Sequence, residues 1–564
     1  MKTYVKTLLL VGLVSSLNAL TSNSSFAQQT VGLFKNDSTT FDGYTLLFPF
    51  PSKNTYLLNN CGHEVKKWVS NYTPGAVCYL KPNGNLLRTA HVMHDEFDHA
   101  GGNGGRIEEF DWDGNLVWFA NLSDDSFSQH HDIELMPNGH LLVLLWRMVS
   151  NEDAVNAGRD PQHVDPEQPI WTESIWEIVP LKDSGYQIVW RWDAMNHLVQ
   201  DYDDAKANFG IISQYPERLN FNSNYVTDNK DWLHFNSIDY NADLDQIMIS
   251  CHAFSEIYII DHSTTDQQSG GHFGGQQNKG GDILYRYGNP AVYGRGTSAD
   301  QVSFKQHDAQ WIPKGYPNAG KILFFNNGGT RAYSSVELFT PSLDINGKYA
   351  IDGTKPFGPP NSEWEYTANP IKKDFYSVNM SSVQPLSNGH FLICESTKGH
   401  FFEIDQNKNI LWSYVNPITA TGPITQGTKP LGNACFRAYK YATNSSAFSG
   451  KTIKEGDRLE LSPLPILCDD TTHVVDTTHH GGIARISFGS LKLFPNPAIN
   501  NVTVQSSSII TTVKIIDARG VEVATIKPNQ KHFEIDLTSF SLGLYHVYFE
   551  NIEQQITRTG LSKL

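Results

Sequence analysis

From about residue 42 to 461, short apolar runs alternate with turn residues, and the pattern repeats as pairs of hairpins. In each pair the first hairpin closes on an Asn-Gly-type turn followed by an apolar strand. The second carries an acidic strand, a turn and a strand ending in Trp or Tyr. Pro82-Asn83-Gly84-Asn85-Leu86-Leu87 leads to Glu109-Phe110-Asp111-Trp112-Asp113-Gly114-Asn115-Leu116-Val117-Trp118. Pro137-Asn138-Gly139-His140-Leu141-Leu142 leads to residues 175–178 and 188–190, and residues 241–249 lead to 257–261 and 283–285. Residues 313–325 lead to 336–339 and 364–366, and Ser387-Asn388-Gly389-His390-Phe391-Leu392 leads to 402–405 and 410–412. Residues 44–68 form a shortened first member, and residues 436–461 return to complete the ring. Asn-Gly and Asp-Gly between apolar runs mark hairpins, and four short strands repeated radially are the signature of a β-propeller. The predicted fold is all-β: a six-bladed β-propeller followed by a small β-sandwich. Insertions at residues 149–174, 193–231 and 261–281 are expected to cover one face of the propeller.

The pattern changes after residue 461. Residues 462–487 form a polar linker containing His473, His479 and His480, none of which is assigned a role. A module of strands then opens at Leu491-Lys492-Leu493-Phe494-Pro495-Asn496-Pro497, with strands expected at 501–505, 513–517, 521–526, 533–537 and 545–549. Its size suits a small sandwich. At the other end, Lys2 and Lys6 precede a short apolar stretch and Ser25-Phe26-Ala27, so residues 1–27 read as a secretory signal peptide. The expected domains are therefore 1–27, 28–461 for the propeller, 462–487 for the linker and 488–564 for the C-terminal module.

Composition sharpens this. Aromatic residues make up 12% of the 564-residue chain, with 44 Gly and 27 Pro, which favours many short strands. The formal net charge of −16 argues against nucleic acid as a partner. No later stretch is long and apolar enough for a membrane span. The 6 cysteines have no CxxC pair, and in an exported protein their spacing leaves every pairing open.

Three histidines share one register of the repeat. His131 and His307 stand six residues before a turn proline, and His234 stands six before Tyr240. The inner strands of a propeller line its channel, so these three are expected to converge at one mouth. Ala76 and Ser381 occupy the same register in other units. Where the strand after the turn ends, His91, Trp146, His252, Asn327 and Ser396 align, and His252 is placed to face the same channel. Asp308, next to His307, is expected to point away, because neighbouring strand residues face opposite sides.

Several longer motifs now carry a resemblance: Gly102-Asn103-Gly104-Gly105 with Glu108-Glu109-Phe110-Asp111-Trp112, His131-Asp132, residues 232–240, Tyr285-Arg286-Tyr287-Gly288-Asn289-Pro290, Gln306-His307-Asp308-Ala309 and Asn326-Asn327-Gly328-Gly329-Thr330-Arg331. Across nearly the whole propeller the chain resembles the bacterial arylsulfotransferases that need no nucleotide sulfate donor. The resemblance implies a six-bladed propeller without a cofactor. It also implies transfer of a sulfuryl group from a phenolic sulfate ester to a phenol through a sulfated histidine. By motif His307 is that nucleophile and His131 and His234 are the flanking histidines; on chemical grounds Arg331 is a second cation candidate for substrate binding. His252 stands where the family's characterised members carry an arginine. Residues 491–564, from the LFPNP opening to Lys563-Leu564, resemble the type A C-terminal sorting domain of the type IX secretion system. That implies passage across the outer membrane to the surface or medium, with the secretion machinery as a partner.

The chemistry suits these residue types. A neutral imidazole is a competent nucleophile near neutral pH. Sulfuryl transfer resembles phosphoryl transfer, with a loose in-line transition state governed by positioning and electrostatics. His234 is favoured as the acid and base. Two other classes compete: a catalytically inactive or ligand-binding secreted propeller, which the histidine at 252 keeps open, and a quinone-dependent propeller oxidoreductase. The cluster His91, His94, Asp95, Glu96, Asp98 and His99 lacks a standard metal spacing and reads as a solvated loop, and no metal site is assigned. The glycine-rich runs 101–105 and 270–281 read as loops without a phosphate-binding context.

Overall fold

The computed structural model describes residues 29–50, 52–94, 96–97, 101–223, 230–464, 468, 491–517, 521–552 and 556–563. The expected signal peptide, the histidines of the linker, and Asp95, Asp98 and His99 lie outside these residues. The contacts divide the chain into two units, residues 28–469 and a C-terminal unit from 470.

The larger unit is a ring of six antiparallel sheets. Blade 2 holds Pro74–Leu80, Leu86–His91, Gly105–Phe110 and Leu116–Asn121. Blade 3 holds Phe127–Leu135, Leu141–Val149, Ile170–Pro180 and Tyr186–Asp193, and blade 4 holds Phe235–Asn241, Gln246–Cys251, Glu256–Asp261 and Ile283–Tyr287. Blade 5 holds His307–Trp311, Ile322–Asn326, Ser335–Phe339 and Trp364–Tyr366, and blade 6 holds Ser382–Pro385, Phe391–Glu395, His400–Ile404 and Ile410–Val415. The shortened first member explains itself. Gly43–Leu47, Asn54–Leu58 and Glu64–Val69 lack an inner strand, and Ala438–Ala442, returning from the far end of the chain, supplies it. The N-terminal strand Gly32–Asn36 adds to the outer edge of blade 6. The ring is therefore closed by both ends of the unit, which removes a sheet edge that would otherwise be open. Of the six cysteines, Cys61 of blade 1 and Cys468 form a disulfide, while Cys78, Cys251, Cys394 and Cys435 are buried free thiols.

Apolar side chains fill the spaces between blades. Leu144, Ile175, Trp192, Ile249 and Tyr258 pack blade 3 against blade 4, and Phe325, Val336, Val383 and Phe402 pack blade 5 against blade 6. Around the axis, polar side chains do the joining. Asp132 accepts from the backbone N–H of Ile238 (3.1 Å), Asp239 from Trp311 (2.7 Å), Asp308 from Val383 (2.9 Å) and Gln384 from Lys440 (2.6 Å). Tyr441 accepts from the N–H of Leu80 (2.9 Å), and Tyr79 donates to Asp132 (2.7 Å). Each inner strand is thus hydrogen-bonded to the next by a side chain, satisfying groups that burial would otherwise penalise.

The smaller unit has its own core of Val502, Val504, Val513, Ile515, Val547, Phe549 and Leu561. Two of its expected strands prove to be one. Asn501–Asp517 runs without a break, pairing Leu491–Phe494 and Gln530–Asp536 along its first half and Glu522–Ile526 and Gly543–Asn551 along its second. The register shifts near Gln505 and Ile510 let this single strand serve both sheets. Ile556–Lys563 pairs the edge of Gly543–Asn551.

Candidate active site

The inner strands of blades 2 to 5 are irregular where they approach the axis. Register shifts fall between Pro74 and Cys78, opposite residues 129–133, between Phe235 and Ser237, and between His307 and Gln310. Left-handed backbone accompanies them at His131 (φ +45°), His234 (+52°) and Asp308 (+56°), and recurs at Ser381 (+85°) ahead of the inner strand of blade 6. Such conformations cost a non-glycine residue energy and cluster at functional sites. Here they re-aim side chains that a regular strand would turn away.

The result is a closed circuit of five aromatic rings. The centroids of His131 and His234 lie 4.6 Å apart, those of His234 and His252 4.9 Å, and those of His252 and His307 5.4 Å. Phe436 closes the circuit, 6.0 Å from His307 and 5.8 Å from His131. The structure therefore brings together the four histidines singled out in the sequence. It places Arg331 differently. Its guanidinium lies 3.7 Å from Glu337, donates to the Ser335 hydroxyl (3.0 Å) and stacks on Phe304 and Tyr333. The lysine whose charge acts on His234 and His252 is Lys305, held by the Ala253 carbonyl at 3.1 Å.

Asp308 does not point away. Its positive φ within the bulge breaks the alternation on which that expectation rested, and it turns toward the axis. There it meets Arg437, which sequence reasoning missed. The Arg437 guanidinium pairs with Asp132 (2.8 Å) and Asp308 (3.1 Å), donates to the carbonyl of Asn236 (3.1 Å) and reaches the hydroxyls of Tyr79 and Tyr439. One buried cation thus ties the inner strands of blades 1 to 5. Phe436 and Arg437 precede the returning strand of blade 1, and that position in the repeat was the signal that could have revealed them.

Each imidazole has a distinct environment. The Nδ1 of His307 faces the Asn327 side-chain oxygen (2.8 Å) and the Lys305 carbonyl (3.2 Å), both acceptors. Asn327 is oriented by donating to the carbonyls of Ser377 and Met380 (2.8 and 2.9 Å). His307 therefore carries its proton on Nδ1, and its Nε2 lone pair accepts from the Met380 N–H at 3.2 Å. Burial pushes the His307 pKa down to about 3, so the ring is neutral. Burial also holds His131 and His252 below the usual range, reinforced by the other imidazoles. His234 is the exception. Burial opposes its charge, but Asp231, hydrogen-bonded to its Nδ1, and Glu173 outweigh that and raise its pKa. Behind His131 runs a buried line: Nδ1 of His131 to Nδ1 of His130 at 2.8 Å, and Nε2 of His130 to Glu173 at 2.8 Å. His130 stacks on Trp146 with centroids 4.2 Å apart. Gly102 (φ +84°) lies against His131, where a Cβ would come within 2.2 Å of Nε2, so the loop can pass only as glycine.

The aligned residues His91, Trp146 and Ser396 share a register with His252 and Asn327 but not their setting. Trp146 stacks on His130, Ser396 donates its N–H to the Ser381 hydroxyl and its own hydroxyl proton to the Cys435 carbonyl, and His94 of the adjoining loop lies 3.2 Å from Asp125.

Four imidazoles with different hydrogen-bond partners thus cluster at the axis of the propeller. The model of the Arylsulfotransferase (ASST) family matches residues 79–429, more than half of the chain. The chain belongs to the arylsulfotransferase family, and a sulfotransferase-type activity on aryl substrates goes with it. A second family model, the secretion system C-terminal sorting domain, matches residues 492–561. That module addresses the protein to type IX export across the outer membrane. No helix among the described residues is long and apolar enough to cross a membrane. No curated protein matches the chain. Among solved structures, similar ones include a protein of unknown function from Bacteroides caccae (12% identity, 71% of this chain and 98% of that one, TM-score 0.37). Virginiamycin B lyase from Staphylococcus aureus (10%, 70% and 90%, 0.30) and the Cps50 (Swd1) β-propeller domain of Myceliophteria thermophila (9%, 69% and 90%, 0.33) are similar too. At these scores the likenesses carry no argument about function.

Proposed function

We propose that this protein moves a sulfuryl group from a phenolic sulfate ester to a phenol, with Nε2 of His307 as the carrier. The observation that carries the reading is the pairing of His307, its proton fixed on Nδ1 by Asn327, with His234, hydrogen-bonded at Nδ1 by Asp231, in the same ring circuit.

In the first half-reaction the His307 Nε2 lone pair attacks sulfur in line with the departing phenolic oxygen. The S–O bond breaks as the N–S bond forms, and His234 gives its proton to the leaving phenolate. Asn327 stabilises the positive charge that grows on the His307 ring, as the third member of a nucleophile–orienter pair does. The Met380 N–H, 3.2 Å from Nε2 before reaction, becomes a donor to an oxygen of the attached sulfuryl group. Lys305 supplies further positive potential for those oxygens. In the second half-reaction the now neutral His234 takes the acceptor phenol's proton, the phenolic oxygen attacks sulfur, and His307 departs as the neutral ring with which it began.

The histidine at 252 is read here as part of a changed cation pattern. Lys305, whose ammonium sits on the Ala253 carbonyl, places a positive charge that acts on both His252 and His234. Turnover of a chromogenic aryl sulfate by wild type, His307→Ala and Lys305→Met tests the reading. Release of phenol should depend on a phenol acceptor, vanish in His307→Ala and show a raised KM in Lys305→Met. Ligand binding without turnover in the wild type would mark a binding propeller instead.

A further inference from the structure

Away from the axis, three side chains from distant parts of the sequence converge at the outer edge of blade 4. His197 follows the outer strand of blade 3 and leads into Leu198–Val199, which pairs Leu219–Asn220 in the 193–231 insertion. His272 belongs to the 261–281 insertion, and Asp282 immediately precedes the strand Ile283–Tyr287. The Nδ1 of His197 lies 2.9 Å, and the Nδ1 of His272 2.8 Å, from the same oxygen of Asp282. The three candidate ligand atoms all lie within 4.8 Å of one another.

The hydrogen bonding of His197 constrains what this cluster is. Its Nε2 faces the Ser269 carbonyl at 2.9 Å, which can only accept, so Nε2 carries a proton. In the neutral ring the lone pair is then on Nδ1, aimed at a carboxylate oxygen. Two electron-rich atoms at that separation need either a proton or a metal cation between them. Arg218 does not supply it, because its Nε lies 4.0 Å from the other Asp282 oxygen. A metal-ligating histidine typically donates its second N–H to a carbonyl or carboxylate, which fixes the tautomer. Ser269 does this for His197. The ring is further fixed by stacking on Trp192 (centroids 5.3 Å apart, 4° between planes). Gly281 lets the backbone pass over it, since a Cβ there would meet the Ser269 carbonyl at 2.1 Å and His197 Nε2 at 2.7 Å.

We propose that His197 Nδ1, His272 Nδ1 and one carboxylate oxygen of Asp282 are three ligands of a zinc ion that pins the 261–281 insertion to the 193–231 insertion. Two imidazoles and a carboxylate form a donor set suited to zinc. Tetrahedral zinc with bonds of about 2.0–2.1 Å separates its ligand atoms by roughly 3.3 Å, so the present contacts open slightly on binding. His197 and Asp282 are buried and His272 is partly exposed, which leaves a path for the ion and a place for water as a fourth ligand. Binding releases whatever protons the cluster holds on those Nδ1 atoms.

The test uses the full-length exported chain without a polyhistidine tag, stripped with chelator, dialysed against zinc chloride and assayed for metal content. Wild type should hold one more zinc per chain than either His272→Ala or Asp282→Asn, and zinc should raise the Tm of the wild type alone. Zinc held elsewhere, as by the histidines of residues 470–490, would persist equally in the variants. His272→Ala removes a partly exposed loop side chain, so it should melt like the zinc-free wild type even if Asp282→Asn fails to fold. Equal zinc content in wild type and His272→Ala, or none in the wild type, overturns the proposal and leaves the three side chains as a hydrogen-bonded cluster.

Discussion

The side-chain oxygen of Asn327 lies 2.8 Å from Nδ1 of His307, while its nitrogen donates to the carbonyls of Ser377 and Met380. One asparagine therefore fixes which nitrogen of the carrier histidine is basic and anchors the loop that brings the Met380 N–H toward that nitrogen. Asn327→Ala should lower kcat by roughly 10²-fold, in the range for a positioned catalytic partner. The two carbonyls it abandons should destabilise the fold by about 1–3 kcal/mol. Rate assays alongside urea unfolding separate the two effects.

His234 acts on the leaving oxygen, so its loss should matter in proportion to how poorly that oxygen departs. His234→Gln should slow turnover of unactivated phenyl sulfate by about 10²–10⁴-fold. With nitrophenyl sulfate, whose phenolate leaves unaided, the loss should be much smaller. Equal losses across a series of leaving groups would remove His234 from that role.

The pH dependence follows from the opposite directions in which the axis histidines are shifted. His307 and His130 are held down to about 3, and His131 and His252 are also lowered, whereas the unfolded chain binds protons on histidine from about pH 6.5. Below about 6.5 the unfolded state therefore holds more protons than the native state, and stability falls as pH falls toward about 3. His234 runs the other way. Its raised pKa gives stability that is present below about 6.5 and lost as pH rises through the folded value. Thermal melts between pH 4 and 8 should show the acid loss, and His307→Gln should reduce its slope. Activity should decline on the alkaline side as His234 loses its proton.

Arg437 stands between Asp132 and Asp308 at the axis. Arg437→Met leaves two buried carboxylates without their shared cation, a change that costs about 3–5 kcal/mol in comparable settings. Lysine should restore little, because one ammonium does not reproduce two divergent donor directions. Denaturant unfolding of both variants checks this.

The repeat was legible in the sequence because hairpin turns and period-two strands recur at fixed register, and that register also collected His131, His234 and His307. What eluded it came from departures from the period. Asp308 faces the axis because its left-handed backbone inverts the alternation. His130 reaches Glu173 through the irregular pairing of residues 127–135. Phe436 and Arg437 belong to blade 1 by space but lie at the far end of the chain. In the C-terminal module, one strand was divided in two because residues 506–512 are too polar to read as continuous. A backbone shared between two sheets needs no unbroken apolar pattern.

The central claim is that His307 carries the sulfuryl group. Intact-mass analysis of the exported chain after brief exposure to an aryl sulfate, without acceptor, tests it most directly. The mass should rise by one sulfuryl group, peptide mapping should place it on His307, and addition of a phenol should discharge it. His307→Ala should show no adduct. Acceptor-dependent transfer by wild type with no adduct under any quench, or an adduct that persists in His307→Ala, would contradict the account.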